Sequence, residues 1–333
     1  MPMPQTSEHI KVYFLSSGRL GIHLLDALLR DKRIDLVGVG SQPDKPSGRK
    51  QIPKPTPLAA HAEKKKCKVD KQDKVNDPAF IDYLRSLNMD FLVVASFGQL
   101  LKPALLEIPK YCCFNVHASL LPKYRGASPI SAAILAGESY SGVSFMKMDP
   151  GLDTGPVYCQ IQIPIADDDN TDTLEEKLGK FAAESICDNL QLIKEGYMCA
   201  VAQDNSRATY AGKIKKCDGA VKWGIPATQL ECKIRAYTPW PRVCMLAPTS
   251  KGIKRLQITS AKVVKLPAPC PQPGTLLAQD ASGITIACAQ DAIKICSIIP
   301  EGRNEMSAAD FLRGTQIPPN TIFTDYPVES TPT

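Results

Sequence analysis

The sequence lacks the patterns that mark membrane, secreted and imported proteins. No apolar run in its 333 residues approaches the roughly 18 residues that a membrane-spanning helix needs. The first ten residues, MPMPQTSEHI, have neither the apolar centre of a signal peptide nor the Arg-rich pattern of an import sequence. We therefore expect a cytoplasmic protein.

Closely spaced metal ligands are also missing. None of the 12 cysteines belongs to a C-x-x-C pair. The four histidines are far apart in the sequence: His9, His23, His61 and His117. Structural zinc sites are built from such pairs, so we expect no bound metal. In a reducing compartment, cysteines in apolar runs are expected to act as small core residues: Cys112, Cys113, Cys288 and Cys296.

Two common enzyme signatures are absent as well. The sequence has no G-x-S-x-G turn, the setting of the nucleophilic serine in α/β hydrolases, and no cysteine has an obvious histidine partner. Gly18 and Gly21 follow the first strand-like segment but give G-x-x-G, not the G-x-G-x-x-G of dinucleotide-binding folds. A covalent hydrolase mechanism and nicotinamide chemistry are therefore disfavoured.

Charge is distributed unevenly along the chain. Residues 1–203 carry 24 Lys and Arg and 24 Asp and Glu, whereas residues 204–333 carry 16 and 10. The whole formal charge of +6 therefore lies in the last 130 residues. Such an excess is typical of a domain that binds a polyanion. Charge alone is equally compatible with a basic surface that has no partner.

The first 200 residues alternate strand-like and helix-like segments. Apolar runs predict strands at 11–16, 35–40, 91–95, 112–117, 143–148 and 157–165. Spacing and capping residues predict helices at 22–29, after Asp77-Pro78, and at 171–194. For the last helix we expect a cap from Asp172 or Thr173 and an apolar stripe of Leu174, Leu178, Phe181, Ala182 and Ile186. This alternation predicts a doubly wound α/β domain with a mostly parallel sheet.

The last third of the chain has a different pattern. Prolines and glycines separate short β-like runs, among them 253–258, 261–266 and 283–288. That pattern predicts a small β-barrel. We place the boundary after residue 203, so that residues 1–203 form one domain and residues 204–333 the other.

A long loop interrupts the alternation after the second strand. Residues 41–57, SQPDKPSGRKQIPKPTP, contain five prolines, Arg49 and three lysines. Loops between strands and helices in such folds usually run about 2–6 residues, so this length favours a function over a simple connection.

Three polar residues at one edge of the predicted sheet are candidate catalytic residues. Asn115 and His117 end the strand 112–117, and because they are two apart their side chains leave the same face. Asp153 lies between glycines in GLDTG, residues 151–155. An amide and an imidazole can donate to an oxyanion, and a carboxylate can fix the imidazole tautomer or take a proton through a water. Together the three suit acyl transfer to an amine, whereas each alone is more simply a structural residue.

These side chains belong to segments that resemble a known family. FNVHASLLPKYRGASPISAAILAGES, residues 114–139, and GLDTG are similar to the folate-dependent formyltransferases. The resemblance implies a Rossmann-like domain in which Asn115, His117 and Asp153 are catalytic. It also implies contacts to 10-formyltetrahydrofolate from six residues: Ser119, Leu120, Leu121, Pro122, Phe97 and Gly98.

Within the family, almost the whole chain resembles members that formylate the amino group of methionyl-tRNA for translation initiation. QPDKPSGRK, residues 42–50, is similar to their tRNA-contacting loop, with Arg49 at its key arginine. TYAGKIKKCDGAVKW (209–223) and IRAYTPWPRV (234–243) are similar to their C-terminal barrel. The resemblance implies that residues 1–203 are the catalytic domain and residues 204–333 a tRNA-binding domain of the oligonucleotide-binding kind.

The sequence departs from the family at two places and leaves alternatives open. In the first loop, SSGRLG at 16–21, Leu20 replaces the usual aromatic residue, and Phe97 stands where tyrosine is common. A sugar-amine formyltransferase or a formyltetrahydrofolate hydrolase would share the three catalytic residues. An RNA-binding protein with an inactive catalytic domain is another alternative, and the intact triad argues against it.

Overall fold

The structure is a computed structural model that describes residues 9–47 and 51–327. The chain forms two compact units. The first unit comprises the described residues within 1–129, 140–164 and 174–211, and the second comprises those within 130–139, 165–173 and 212–333.

Strands and helices alternate through the first 211 residues. The strands are β1 (Ile10–Ser16), β2 (Ile34–Ser41), β3 (Lys45–Ser47), β4 (Ile52–Lys54), β5 (Val69–Lys71), β6 (Phe91–Ala95), β7 (Cys112–His117), β8 (Arg125–Gly126), β9 (Tyr140–Lys147), β10 (Val157–Pro164) and β11 (Tyr210–Ala211). The helices are α1 (Leu20–Arg30), α2 (Pro57–Lys64), α3 (Pro78–Ser86), α4 (Pro103–Leu106), α5 (Pro129–Leu135) and α6 (Thr171–Lys194). The six strands and three helices predicted for this part are confirmed.

A seven-stranded sheet with the order β10-β9-β7-β6-β1-β2-β5 forms the centre of the first unit. The five strands from β7 to β5 are parallel, whereas β9 runs antiparallel to both β7 and β10. β6 and β7 are buried along their whole length, as expected for strands covered on both faces. The prediction of a Rossmann-like, mostly parallel sheet is confirmed.

Helix α3 shows how local sequence places an element on this sheet. The side chain of Asp77 accepts a hydrogen bond from the backbone N–H of Ala79 at 3.0 Å, and Pro78 occupies the first turn. Phe80 and Leu84 are buried in a cluster with residues of β1 and β6. The cap therefore starts the helix where its apolar face can cover the sheet.

Two details of α6 differ from the prediction. The cap is Asn170, whose Oδ1 accepts from the backbone N–H groups of Asp172 (2.9 Å) and Thr173 (3.0 Å). The prediction of a cap at Asp172 or Thr173 was wrong because Asn170 already satisfies the free N–H groups there. Phe181 is 43% exposed and is not part of the apolar stripe. The other predicted stripe residues are buried: Leu174, Leu178, Ala182 and Ile186.

The long basic loop contains a small hairpin. Its strands β3 and β4 are antiparallel, with Lys45 opposite Lys54 and Ser47 opposite Ile52. Arg49 lies between these strands in the sequence and falls outside the described residues. The loop is therefore partly ordered into strands that the proline-rich sequence did not predict.

The second unit is built on an antiparallel sheet. Its strands are β12 (Val243–Ala247), β13 (Lys254–Val264), β14 (Leu276–Asp280), β15 (Gly283–Ala287), β16 (Ala292–Pro300) and β17 (Met306–Ser307), and its further helices are α7 (Ala227–Ala236) and α8 (Ala308–Gly314). The pairing order is β12-β13-β16-β15-β14, with β17 on β16. The two β-like runs predicted at 253–258 and 261–266 are one strand, β13. Closure into a barrel stays a prediction.

Residues 204–211, just after the predicted boundary, belong to the first unit. β11 pairs with β8, and Arg125 N–H donates to the carbonyl of Thr209 at 2.8 Å. The catalytic role of residues 1–203 and the tRNA-binding role of residues 204–333 stay predictions. In the described part of the chain, no helix combines the length and the hydropathy needed to cross a membrane.

One surface ion pair should make stability depend on pH. Hydrogen bonds from Arg33 hold the pKa of Asp31, which lies directly after α1, below its ordinary value of 3.8, at about 2. The stabilisation is therefore complete above the unfolded-state pKa and is lost as the pH falls through the folded-state pKa. We predict that Asp31→Asn lowers Tm at neutral pH and that its difference from wild type disappears near pH 2.

Thermal melts of both proteins across this range are the measurement. Asp82→Asn is the matched control, since it removes another exposed ion pair, with Arg85 at 3.0 Å, from α3. A Tm difference for Asp31→Asn that stays constant down to pH 2 would contradict the assignment.

Candidate active site

Strand β7 carries two polar side chains into a buried position. Asn115 and His117 are 7% and 6% exposed, although the rest of the strand is apolar. The strand lies between β6 and β9, where the sheet changes from parallel to antiparallel pairing. A buried amide and imidazole need hydrogen-bond partners, and those partners define the site.

The turn that follows β7 holds the imidazole of His117. Its Nε2 lies 3.0 Å from the carbonyl oxygen of Tyr124. Because a carbonyl can only accept, Nε2 carries a hydrogen, and Nδ1 of the neutral ring is left as an acceptor. Nδ1 lies 3.7 Å from Oδ2 of Asp153, too far for a direct hydrogen bond. Of the two roles expected for Asp153, fixing the tautomer is taken by the carbonyl of Tyr124, and taking the amine proton through a water stays a prediction.

Asp153 lies beside both side chains of β7. Its Oδ1 is 3.5 Å from Nδ2 of Asn115, and its Oδ2 accepts from the backbone N–H of Gly126 at 2.8 Å. Asp153 has a φ of +54°, in the left-handed region that most residues avoid. The structure therefore brings the three predicted catalytic residues together, with one carboxylate facing the amide and the imidazole.

The loop that carries Asp153 is fixed from both sides. Asp149 Oδ1 accepts from the hydroxyl of Thr154 at 2.7 Å. On the other side, Nε2 of Gln203 donates to the carbonyl oxygens of Asp153 (2.9 Å) and Gly155 (2.6 Å). Gln203 was not a candidate from sequence, because it lies 50 residues from Asp153 in a segment without a recognisable motif.

The predicted folate-binding turn, residues 119–122, is held by the two antiparallel strands. The Ser144 hydroxyl on β9 donates to the carbonyl of Ser119 at 2.6 Å and accepts from the N–H of Leu121 at 3.0 Å. Nε2 of Gln160 on β10 donates to the carbonyl of Leu121 at 2.8 Å. The turn therefore has a fixed backbone before any ligand arrives.

The side chains of this turn have different exposure. Ser119 is 1% exposed, and its hydroxyl donates to the carbonyl of Lys123 at 2.6 Å. Leu121 is buried as well, whereas Leu120 and Pro122 are half-buried. Ser119 and Leu121 thus shape the turn, and Leu120 and Pro122 keep surface that a ligand can contact.

The segment after β6 has a similar division. Phe97 is 2% exposed and packs in the apolar cluster, and its carbonyl accepts from Nε2 of Gln42 at 2.5 Å. Gly98 is exposed with a φ of +81°, and a Cβ there would lie 2.8 Å from Nε2 of Gln42. The ring of Phe97 is therefore part of the core, and Gly98 leaves its backbone open to a ligand.

None of the side-chain clusters among the described residues has enough ligands to bind a metal ion. Residues 9–47 and 51–327 contain no group of three or more His, Cys, Asp or Glu side chains arranged to hold a metal ion. The buried cysteines behave as apolar residues, since burial raises the thiol pKa of Cys113 strongly and that of Cys288 to about 12.

Curated relatives match most of the chain. The methionyl-tRNA formyltransferase of Geobacter metallireducens is 37% identical over 285 residues, which is 86% of this chain and 89% of that protein. The methionyl-tRNA formyltransferase of Chlamydia muridarum is 36% identical over 307 residues, or 92% and 96% of the two chains.

Solved structures share the fold at lower identity. An N-formyltransferase from Helicobacter canadensis, bound to folinic acid and dTDP-3-aminofucose, is 18% identical with a TM-score of 0.64 and covers 86% of this chain and 99% of that one. HypX from Aquifex aeolicus in complex with tetrahydrofolic acid is 15% identical with a TM-score of 0.62, covering 96% of this chain and 51% of that one.

Family models account for both parts of the sequence. Residues 10–190 match the formyl transferase model, and residues 213–316 match the model of the formyl transferase C-terminal domain. The first match alone spans more than half of the chain, and it includes Asn115, His117 and Asp153. The chain therefore belongs to the formyl transferase family.

Proposed function

We propose that this chain transfers the formyl group of 10-formyltetrahydrofolate to the α-amino group of methionyl-tRNA. The observation that carries the proposal is the grouping of the buried Asn115 and His117 with the half-buried Asp153 in one site. These side chains suit direct transfer between two nitrogens, which needs no covalent nucleophile on the enzyme. The names of the relatives support methionyl-tRNA as the acceptor.

Transfer begins when the neutral amine attacks the carbon of the formyl group. A C–N bond forms, the carbonyl electron pair moves onto oxygen, and an oxyanion develops. Asn115 is suited to donate to that oxyanion, because its contact with Asp153 is long at 3.5 Å and uses its amide hydrogens weakly. Collapse then breaks the bond between the formyl carbon and the folate nitrogen, and this nitrogen takes the proton that His117 received from the amine, so that tetrahydrofolate leaves and the imidazole is neutral again.

His117 contributes through Nδ1. In the neutral ring this atom accepts, so it can take the proton of the attacking amine. Once protonated, Nδ1–H donates to the oxyanion, and the carboxylate of Asp153 at 3.7 Å stabilises the imidazolium. The bond from Nε2 to Tyr124 is kept in both states, so the ring does not need to turn.

The folate is assigned to the surface formed by the turn 119–122 and Gly98. Both have backbones fixed by neighbouring side chains, Ser144 and Gln160 for the turn and Gln42 beside Gly98. A preorganised backbone loses little freedom on binding. The complexes of the solved relatives with folinic acid or tetrahydrofolic acid support a folate donor.

The tRNA is assigned to the basic C-terminal part and to the hairpin loop. The excess of six positive charges after residue 203 suits the phosphate backbone, which attracts proteins without regard to sequence. Arg49 would act differently, because a planar guanidinium can form paired hydrogen bonds with a base edge or a phosphate.

Removing the oxyanion donors should slow transfer without unfolding the protein. We expect Asn115→Ala and His117→Ala each to lower kcat by about a hundredfold to a thousandfold, the typical effect of losing one such donor. Asp153→Ala should also be severe, because the imidazolium loses its counter-charge. Steady-state kinetics with methionyl-tRNA, combined with thermal melts, is the measurement.

His61→Ala is the matched control, since His61 lies 2.9 Å from Asp26 in a comparable pair outside the site. It should keep kcat within about twofold of wild type. A folded His117→Ala variant with near wild-type turnover would overturn the catalytic assignment.

Surface lysines after residue 211 should set the salt dependence of tRNA binding. Lys213 and Lys216 are exposed. We expect the double variant Lys213→Ala/Lys216→Ala to weaken binding and to lower the slope of log affinity against log salt by about one for each phosphate that it no longer neutralises. Lys64→Ala/Lys110→Ala removes two exposed lysines from the first unit as a control. Equal slopes for the two double variants would argue against a tRNA-binding role for this part.

Arg49 should affect the tRNA acceptor and not the folate. We expect Arg49→Ala to lower kcat/KM for methionyl-tRNA and Arg49→Lys to restore it only partly, because lysine supplies charge without the planar fork. The KM for the folate should change little. Kinetics with both variants decides the matter, and an unchanged kcat/KM within about twofold for Arg49→Ala would make the loop a mere connection.

A further inference from the structure

Arg125 is an unusual residue for its position. It is 2% exposed, among the largest fully buried side chains of the chain. Its Nη2 donates to Oε1 of Gln203 at 2.7 Å and to Oδ1 of Asn205 at 2.8 Å, and its Nε donates to the same Oε1 at 3.1 Å. Burying a guanidinium against neutral amides is unfavourable unless its hydrogen bonds are strong and well placed. The arrangement therefore needs a reason beyond filling space.

Gln203 links this cation to the active site. Its Oε1 receives both hydrogen bonds from Arg125, and its Nε2 donates to the carbonyl oxygens of Asp153 and Gly155. Every donor and acceptor of the amide is used. The orientation is also fixed, because a flipped amide would place its NH2 against the guanidinium and its oxygen against two carbonyls.

The backbone that Gln203 holds is one that needs support. Asp153 has a φ of +54°, a conformation that persists in a non-glycine residue when the surroundings impose it. The residue after Arg125 holds the other end of Asp153, since the N–H of Gly126 donates to Oδ2 at 2.8 Å. The two residues of β8 therefore both act on Asp153: Gly126 binds its carboxylate directly, and Arg125 holds its backbone through Gln203.

We infer that Arg125 and Gln203 are positioning residues that set the distance and direction of the Asp153 carboxylate relative to His117. The inference rests on the proposed function, in which that carboxylate stabilises the imidazolium. Neither residue touches the reacting atoms; both act through Asp153. A displacement of about 1 Å in such a group can lower the rate by about a hundredfold.

Gln203→Glu separates this role from a purely structural one. The variant keeps the side-chain shape and gives Arg125 a carboxylate partner, which suits a buried cation. It loses the two donors to Asp153 and Gly155 and places an oxygen against their carbonyls. A role limited to satisfying Arg125 predicts an active enzyme, whereas positioning predicts a folded enzyme whose kcat is about tenfold to a hundredfold lower, with an unchanged KM for the folate.

Two further variants keep the test informative. The double variant Arg125→Met/Gln203→Met removes the buried cation together with its acceptor, so it leaves no unpaired guanidinium and should show the same fall in kcat if Gln203→Glu does not fold. Asn205→Ala removes one acceptor from Arg125 without touching the carbonyl of Asp153. It should therefore lower Tm and leave kcat nearly unchanged.

The decisive measurement is the single-turnover rate constant of formyl transfer to methionyl-tRNA, determined for Gln203→Glu in the wild-type and Asp153→Ala backgrounds. Since Gln203 acts through Asp153, the substitution should lower this rate constant in the first background and have almost no further effect in the second. A Gln203→Glu enzyme within about threefold of wild type, or equal losses in both backgrounds, would overturn the inference. A fully active Asp153→Ala enzyme would instead overturn the catalytic role assigned to Asp153, whereas a wild-type enzyme that transfers no formyl group to methionyl-tRNA would overturn the proposed function.

Discussion

The hydrogen bond from His117 Nε2 to the carbonyl oxygen of Tyr124 is the contact on which the proposed chemistry depends. It fixes the ring so that Nδ1, the atom free to gain a proton, faces Asp153. The geometry of this hydrogen bond depends on the position of the Tyr124 backbone. Ser144 on β9 and Gln160 on β10 hold residues 119–121 just before Tyr124, and the N–H of Tyr124 donates to the hydroxyl of Thr209 at 2.8 Å. The two antiparallel strands therefore support the catalytic imidazole indirectly, together with Thr209. The turn 119–122 is assigned to the folate, so the contacts that place the formyl donor lie directly beside those that place the imidazole.

Asp153 is placed by an independent set of contacts. Its carboxylate is held by Gly126, and its backbone by Gln203, which is itself held by Arg125. The guanidinium of Arg125 is buried at this point even though burying a charge is unfavourable without full hydrogen bonding. Complete satisfaction of the Gln203 amide accounts for the stability of the arrangement. The site therefore combines a rigid imidazole with a carboxylate of fixed position. Nδ1 of His117 lies 3.7 Å from Oδ2 of Asp153, so Nδ1 is free to gain and lose a proton during the reaction.

The sequence predicted the features that repeat locally and missed those that join distant residues. Buried strands such as FLVVA at β6 are apolar throughout, and the two-residue period of β7 placed Asn115 and His117 on one face. The hairpin β3–β4 was missed because prolines and lysines have low strand propensity. The link between Arg125 and Gln203 spans 78 residues, and a single hydrogen-bonded pair leaves no period in the sequence. For the same reason the carbonyl of Tyr124, a backbone group, could not be predicted as the partner of His117.

Other folate-dependent formyl transfer reactions could use the same three catalytic side chains, so the acceptor defines this enzyme. The most direct test follows a labelled formyl group from 10-formyltetrahydrofolate in the presence of charged initiator tRNA, an amino sugar nucleotide or water alone. The proposed function predicts label on the amino group of methionine, with one tetrahydrofolate released for each formyl group transferred. Release of labelled formate at the same rate without charged tRNA, or label on the amino sugar with none on methionine, would contradict it.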